Sequence, residues 1–487
     1  MRRTLPTRRD FIRTTLSGFG AALVLPGLGC AGARDGSVVA AEGWDAVPQI
    51  LARIRAPKFP RRDFTITDFG ALGDGTSDAT GAIRAAIEAC ADGGGGRVVI
   101  PEGRFHSGPI HLRSNVNLHL VEGGTIAFSR NPRDYLPPVL TRFEGMELMG
   151  YSPLIYAYGQ ENIAVTGSGT LDGQADADHW WPWKGREEYG WREGDSHQAD
   201  AREVLQRMVE EAVPASERLL AEESYLRPQF IQPYRCRNVL VEGIRVVASP
   251  MWEIHPVLCT NVTVRGVRVE THGPNNDGCN PESCTDVLIE DCYFDTGDDC
   301  IAIKSGRNAE GRRIAVPSSN IVIRNCEMRQ GHGGVVIGSE MSGGVRNVFA
   351  ENCRMNSPDL ERALRIKTNS VRGGFVENVY MRDVTVGLVA DAVFRVNFFY
   401  EEGDAGDHDP LVRNVELRGV TCEKSTYALY VRGYEDAPIR DVRLIDCHFR
   451  NVDRESVVEH VNGLTFRDVT INGIRTSAPE VNALQVD

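Results

Sequence analysis

Apolar and polar residues alternate in short runs along most of the chain. One pattern recurs: Asn or Asp, apolar, any, apolar, any, Gly/Asn/Asp, apolar, any, apolar. It starts at Asn238, Asn261, Asp286, Asn320, Asn347, Asn378, Asn414 and Asp441, with a degenerate copy from Gly463 and weaker versions at Asn115 and Asn162. Successive starts from Asn238 to Gly463 lie 22 to 36 residues apart. Period-two alternation predicts short strands. Gly, Asn or Asp at the sixth position predicts a bend with a left-handed backbone, which these residues tolerate best. A repeat this short cannot bury its own apolar face, so copies must stack. An all-β parallel β-helix with one coil per repeat meets these demands. A leucine-rich solenoid does not, because its Leu spacing is absent.

The ends of the repeat array differ from its middle. Residues 61–128 read as an N-terminal cap with the first coils. A helix of roughly residues 79–91 opens after Ser77 and Asp78, either of which can cap it, and the Gly93 to Gly96 run stops it. Residues 129–487 read as the main β-helical domain, interrupted by an insertion at about 173–229. Trp180, Trp181, Trp183, Tyr189 and Trp191 cluster in that insertion. Val204, Leu205, Met208, Val209 and Ala212 follow helical spacing before Pro214. The aromatics either pack among themselves or wall a sugar site. Upstream, residues 31–60 read as a linker and residues 1–30 as a targeting segment. Thr7-Arg8-Arg9-Asp10-Phe11-Ile12 before an apolar stretch has the form of a twin-arginine export signal. Leu28-Gly29-Cys30-Ala31 leaves open a lipid anchor at Cys30 in a periplasmic protein. No apolar run of 18 occurs elsewhere, so no transmembrane segment is expected.

The 12 Cys would suggest disulfides in an exported chain, but their positions argue otherwise. Two residues before each start, Cys236, Cys259 and Cys284 exchange with Ser, Val and Ile in later copies. At the seventh position Cys292, Cys326, Cys353 and Cys447 exchange with Val and Ile. These thiols are read as small buried hydrophobes. Cys279 and Cys300 fall outside the ladders. The formal charge of -13 argues against nucleic acid as a partner. Cleavage of the targeting segment would take the charge to about -17.

Uncommon polar residues gather after the strands of consecutive repeats: Asn275-Asn276-Asp277-Gly278, Gly297-Asp298-Asp299-Cys300, Gly331-His332-Gly333 and Arg365-Ile366-Lys367. Asp277 and Asp298 are 21 residues apart, close to one coil, so stacking brings three carboxylates to one edge. Such carboxylates cannot all ionise cheaply. One becomes a proton donor and the others can activate water, the division of labour of glycoside hydrolysis. Arg365 and Lys367, two apart on a strand, share a face and suit a carboxylate ligand.

From about Thr65 to Asp468 the chain resembles glycoside hydrolase family 28, the polygalacturonases, on those four motifs and their order. Asn276 stands where Thr is usual. The resemblance implies a right-handed parallel β-helix and a metal-free, cofactor-free, inverting hydrolysis of α-1,4-linked galacturonate. It implies Asp298 as general acid, Asp277 and Asp299 as the pair that activates water, and His332 as the acid's neighbour. Arg365, Lys367 and Tyr400 would hold the substrate. The expected partner is a pectic polysaccharide or oligogalacturonide, met by a monomer. The insertion, large enough to wall off one end of a groove, predicts exo action. A rhamnogalacturonan hydrolase of the same family is the alternative, though the Arg365–Lys367 pair favours a uronate. A calcium-dependent pectate lyase and a non-catalytic polysaccharide-binding solenoid are weaker readings, because Gly-His-Gly and Lys367 have no required part in the first and the carboxylate cluster none in the second.

Overall fold

The computed structural model describes residues 43–478; the targeting segment and Cys30 lie outside them. The chain winds into a right-handed parallel β-helix with three sheet faces. One face has 13 strands and a second has 14. The third begins with Ile110–His111, Ile155–Tyr158 and Ile231–Tyr234. It passes through single bridges at Ile254 and Cys279 into a six-stranded sheet that starts at Ile301–Ile303. The repeat register is the one the sequence predicts. Val239, Val262, Val287, Ile321, Val348, Val379, Val415, Val442 and Leu464 pair in succession.

Each repeat turns through the left-handed region twice. The sixth position does so as expected, for example Gly243 at φ 75° and Asp291 at φ 56°. The first position does too, from Asn238 at φ 57° to Asp441 at φ 55°. Asn tolerates that backbone, and its amide then serves a second purpose. Asn238 donates to Asn162, Asn261 to Asn238, Asn347 to Asn320 and Asn414 to Asn378, at 2.6–3.0 Å. The ladder satisfies the corner's polar groups where the strands turn. Inside, the 11 described cysteines are all free and buried, including Cys279 and Cys300. Cys236, Cys259 and Cys284 stack as rungs, with the backbone N–H of each of the first two 3.4 Å from the next sulfur.

Four short α-helices occur among the described residues. α1 (Val47–Arg53) falls within the stretch expected as a linker, 31–60, of which residues 43–60 are described. Val47, Ile50 and the following Ile54 bury against Leu288, Val322, Phe349 and Tyr380 on the outside of the 13-stranded sheet. α2 (Thr80–Asp92) is the predicted cap helix; it buries Ile83, Ala86, Ile87 and Cys90 over the first coil, and Asp78 Oδ1 accepts the N–H of Thr80. α3 (Ala199–Glu210) is the helix of the insertion and buries Leu205 and Val209. α4 (Asn308–Ile314) follows the coil of Asp298. α3 packs on Phe143, Met146 and Leu148 of an antiparallel hairpin, Val139–Phe143 with Met146–Gly150. This hairpin has no signature in the repeat pattern. No helix among the described residues is long and apolar enough to cross a membrane.

Candidate active site

The functional residues collect along the third face because each repeat leaves its corner there. Asp277 precedes the Cys279 bridge, Asp298 and Asp299 precede Ile301–Ile303, and His332 precedes Val335–Gly338. Arg365 and Lys367 lie in Arg362–Lys367, and Tyr400 follows Ala392–Asn397. All seven predicted residues therefore meet at one place. Asp277, Asp298, His332, Arg365, Lys367 and Tyr400 line a pocket of about 350 Å³, with Asp299 buried beneath it. Gly331 allows the His332 corner to sit this close: its φ is 145° and a Cβ there would meet the Asp298 carbonyl at 2.3 Å. Asn276, the departure from the usual motif, is buried and braces the turn. Its Oδ1 accepts from Thr271 and Gly273, and its Nδ2 donates to the Ser249 and Met251 carbonyls.

One oxygen from each of Asp277, Asp298 and Asp299 lies within 4.8 Å of the others. This is tighter than the roughly 6.5–9.5 Å between carboxyl groups expected of an inverting pair with water between them. Such a cluster can hold a cation, but here cationic side chains of the chain itself supply counter-charge. Lys367 Nζ donates to Asp299 Oδ2 at 2.7 Å, and Arg365 Nη1 is 3.5 Å from Asp299 Oδ1. Lys304 Nζ is 3.5 Å from Asp277 Oδ2, which also accepts from Asn280 at 2.9 Å. His332 Nδ1 lies 3.0 Å from Asp298 Oδ1, which accepts the Asp299 N–H at 2.9 Å. Asp299 Oδ1 receives no protein hydrogen bond.

The cluster shares its charge unevenly. Burial, then repulsion from Asp298, pushes the Asp277 carboxyl up to about 8. The Asp298 carboxyl is buried too, which favours its neutral form, yet the hydrogen bond and charge of His332 outweigh this and hold it well below the usual range. The same bond raises His332 to about 9. Groups this close titrate as a unit. At neutral pH the Asp277–Asp298 pair thus holds one carboxyl proton, resting on Asp277, and His332 carries another.

Several residues of the pocket escaped the sequence reading. Lys304, nearly buried, bridges Asp277 and Glu340 and lies 4.4 Å from the centre of the Trp252 ring. From Glu340 an alternating chain continues through Arg307 at 3.6 Å, Glu144 at 3.2 Å and Arg202 of α3 at 2.6 Å. It ties the carboxylate cluster to the hairpin and the insertion. The one usable signal was Lys304 itself, a Lys closing the apolar run Cys300-Ile301-Ala302-Ile303. Of the insertion's aromatics, Trp180 packs on Tyr135 and Trp183, Trp183 on Tyr225, and Trp191 on His197; Tyr189 reaches the pocket. The insertion's larger contribution is cationic: Lys184, Arg186 and Arg202.

Residues 220–470 match the family model described as glycosyl hydrolases family 28, and residues 64–119 match one described as rhamnogalacturonase A/epimerase, pectate lyase-like. The structure is similar to that of a hyperthermoactive exopolygalacturonase from Thermotoga maritima: 48% identity, 88% of this chain and 96% of that one, TM-score 0.86. Among curated proteins, a probable polygalacturonase of Vitis vinifera is 27% identical over 78% of this chain and 72% of its own. An exo-poly-alpha-D-galacturonosidase of Dickeya chrysanthemi is 25% identical over 85% of this chain and 71% of its own. On a match spanning more than half of its length, and with the motifs brought together as described, the chain belongs to glycosyl hydrolase family 28.

Proposed function

We propose that this enzyme is an exo-acting polygalacturonase that releases galacturonate from the non-reducing end of α-1,4-linked galacturonan. The observation that carries this is the charge of the pocket. In a chain of formal charge -13, eight Lys and Arg line it against six Asp and Glu, with the Asp277–Asp298–Asp299 cluster at its base. Local charge decides the fate of a polyanion within about one Debye length, so the acidic remainder of the surface does not prevent binding. The exo assignment rests on Lys184, Arg186 and Tyr189 of the insertion, which stand as one wall of the pocket.

In this mechanism Arg365 and Lys367 seat a uronate carboxylate, with the Tyr400 ring 5.4–5.6 Å from both cations. Asp298, the most exposed member of the cluster, donates to the glycosidic oxygen. The proton count suits this role: passing the proton of Asp277 to Asp298 leaves Asp277 and Asp299 both ionised, without exchange with solvent. The ionised Asp277–Asp299 pair then takes the proton that the attacking water gives up as its oxygen bonds to the anomeric carbon.

Digestion of polygalacturonate tests the reading. Viscosity falls slowly while reducing sugar accumulates, and proton NMR shows the β-anomer of galacturonate first. A sharp viscosity drop at low sugar release would exclude exo action, and the α-anomer first would exclude inversion.

The pH profile follows from the proton count. The carboxyl proton is present below about 8 and lost above it, so kcat/KM falls as pH rises through about 8. A profile flat to pH 10 would remove the cluster's proton from the mechanism.

A further inference from the structure

Of the eight pocket cations, seven lie within 4.0 Å of a carboxylate. Arg186 meets Glu188, Arg202 and Arg307 meet Glu144, Lys304 meets Glu340, Arg362 meets Asp391, and Arg365 and Lys367 meet Asp299. Lys184 is the exception. It ends the short turn Trp181–Lys184 of the insertion, and its Nζ donates to Asn275 Oδ1 at 2.8 Å. That leaves two ammonium protons for a ligand.

Behind it stands a second cation without an acid. Arg227, at the close of the insertion, is 1% exposed. It donates to the same Asn275 oxygen at 2.8 Å, to the carbonyls of Pro250 and Pro274 at 2.9 and 2.6 Å, and to Gln198 Oε1 at 3.3 Å. All these partners are neutral. The carboxylate whose field acts most on both cations, Glu144, is already committed to Arg202 and Arg307. Burial lowers Lys184 and brings Arg227 down to about 10, so Arg227 remains charged at neutral pH. Burying a cation without counter-charge is costly in the empty protein. Two cations with neutral partners on one oxygen beside the catalytic turn, Arg227 buried and Lys184 half-buried, mark a place built for an anion that arrives from outside.

The position of the pair says which anion. Asn275 lies two residues before Asp277. Bridges from Cys279 to Ile301, Val335 and Leu364 put Arg365 and Lys367 three coils further along the axis, about 14 Å at the usual strand spacing. Asp298 and His332 stand on the coils between. We propose that Lys184, with Arg227 reinforcing it through Asn275, binds the carboxylate of the terminal galacturonate. The enzyme then requires a uronate on both sides of the scissile bond. This inference rests on the polygalacturonase reading and deepens it.

Two substrates and two variants test it: trigalacturonate, and trigalacturonate methyl-esterified only at its non-reducing terminal carboxyl, each with Lys184→Gln and Lys184→Arg. Wild type should lose about 30-fold in kcat/KM on the ester. Lys184→Gln should lose about as much on trigalacturonate, with less than about threefold further loss on the ester, whereas Lys184→Arg should keep the wild-type discrimination. Lys184→Gln should melt at or above the wild-type temperature, because it removes a cation that has no counter-charge in the empty protein. Discrimination by Lys184→Gln equal to that of wild type would overturn the inference, as would a melting temperature lowered by several degrees, which would assign Lys184 to structure. If wild type leaves trigalacturonate intact, the polygalacturonase reading fails first, and this inference with it.

Discussion

Replacing Asp298 by Asn lowers kcat on polygalacturonate by about 10²–10⁴-fold, the usual contribution of a positioned proton donor. The substitution keeps the shape of the side chain and an oxygen able to accept from His332 and from the Asp299 N–H, so the corner is conserved. It removes a charge that two neighbours feel. His332, held up to about 9 by that carboxylate, falls toward its ordinary 6.5. Asp277, raised in part by repulsion from Asp298, falls as well. Three measurements separate an acid from a structural residue. The turnover number collapses, the dissociation constant for trigalacturonate stays within about threefold, and the His332 titration followed by NMR moves down by more than one unit. A variant that keeps a tenth of wild-type turnover would remove Asp298 from the proton-donor role.

The same three acids show what could and could not be read from the chain. Their meeting was legible, because stacking of one repeat per coil converts a spacing of 21 residues into adjacency, and the apolar alternation sets the register at every coil. The state of their protons was not. It depends on how many cations reach the cluster, and Lys304 reaches Asp277 only because its coil stacks in parallel on the one that carries Asp277, with Lys304 beside Glu282. Lys184 was hidden for the same reason: it lies 91 residues before Asn275, in a segment with no repeat to place it. The hairpin over residues 139–150 lacks the repeat spacing altogether, so nothing in the pattern places Glu144 and Glu147 against Arg202, Arg307 and Arg313. The Asn corners were half legible. Their residue type was plain, but the amide ladder that makes Asn better than Gly at the first position emerges only when the coils stack.

Replacing Glu282 by Ala destabilises the protein by about 3–5 kcal/mol, the cost of leaving a buried charge without its partner. Glu282, Arg142 and His255 are all fully buried. Arg142 Nη1 donates to Glu282 Oε1 at 2.6 Å, and His255 Nε2 lies 2.8 Å from Oε2. Burial holds His255 below its ordinary pKa, so it is neutral, donating through Nε2 to Glu282 and accepting from Gln232 through Nδ1 at 3.0 Å. Gln232 in turn accepts from Thr141 at 2.6 Å. Thr141 and Arg142 belong to the hairpin, and Glu282 and His255 to the coils that carry Asp277, so this network fastens one to the other. Removal of the carboxylate strands the Arg142 charge, since its remaining acid, Glu147, is 3.9 Å away. A lowered denaturant midpoint reports the loss. Because the hairpin presents Glu144 to Arg202 and Arg307, kcat should fall with it. The double variant Arg142→Met, Glu282→Leu removes both charges together and should recover most of the midpoint, since apolar replacement of a whole buried pair is often neutral or stabilising. If the double variant is no more stable than Glu282→Ala, the unpaired Arg142 is not the source of the loss; the broken His255 bond is, and the hairpin is held by its apolar contacts to α3 rather than by this charge pair.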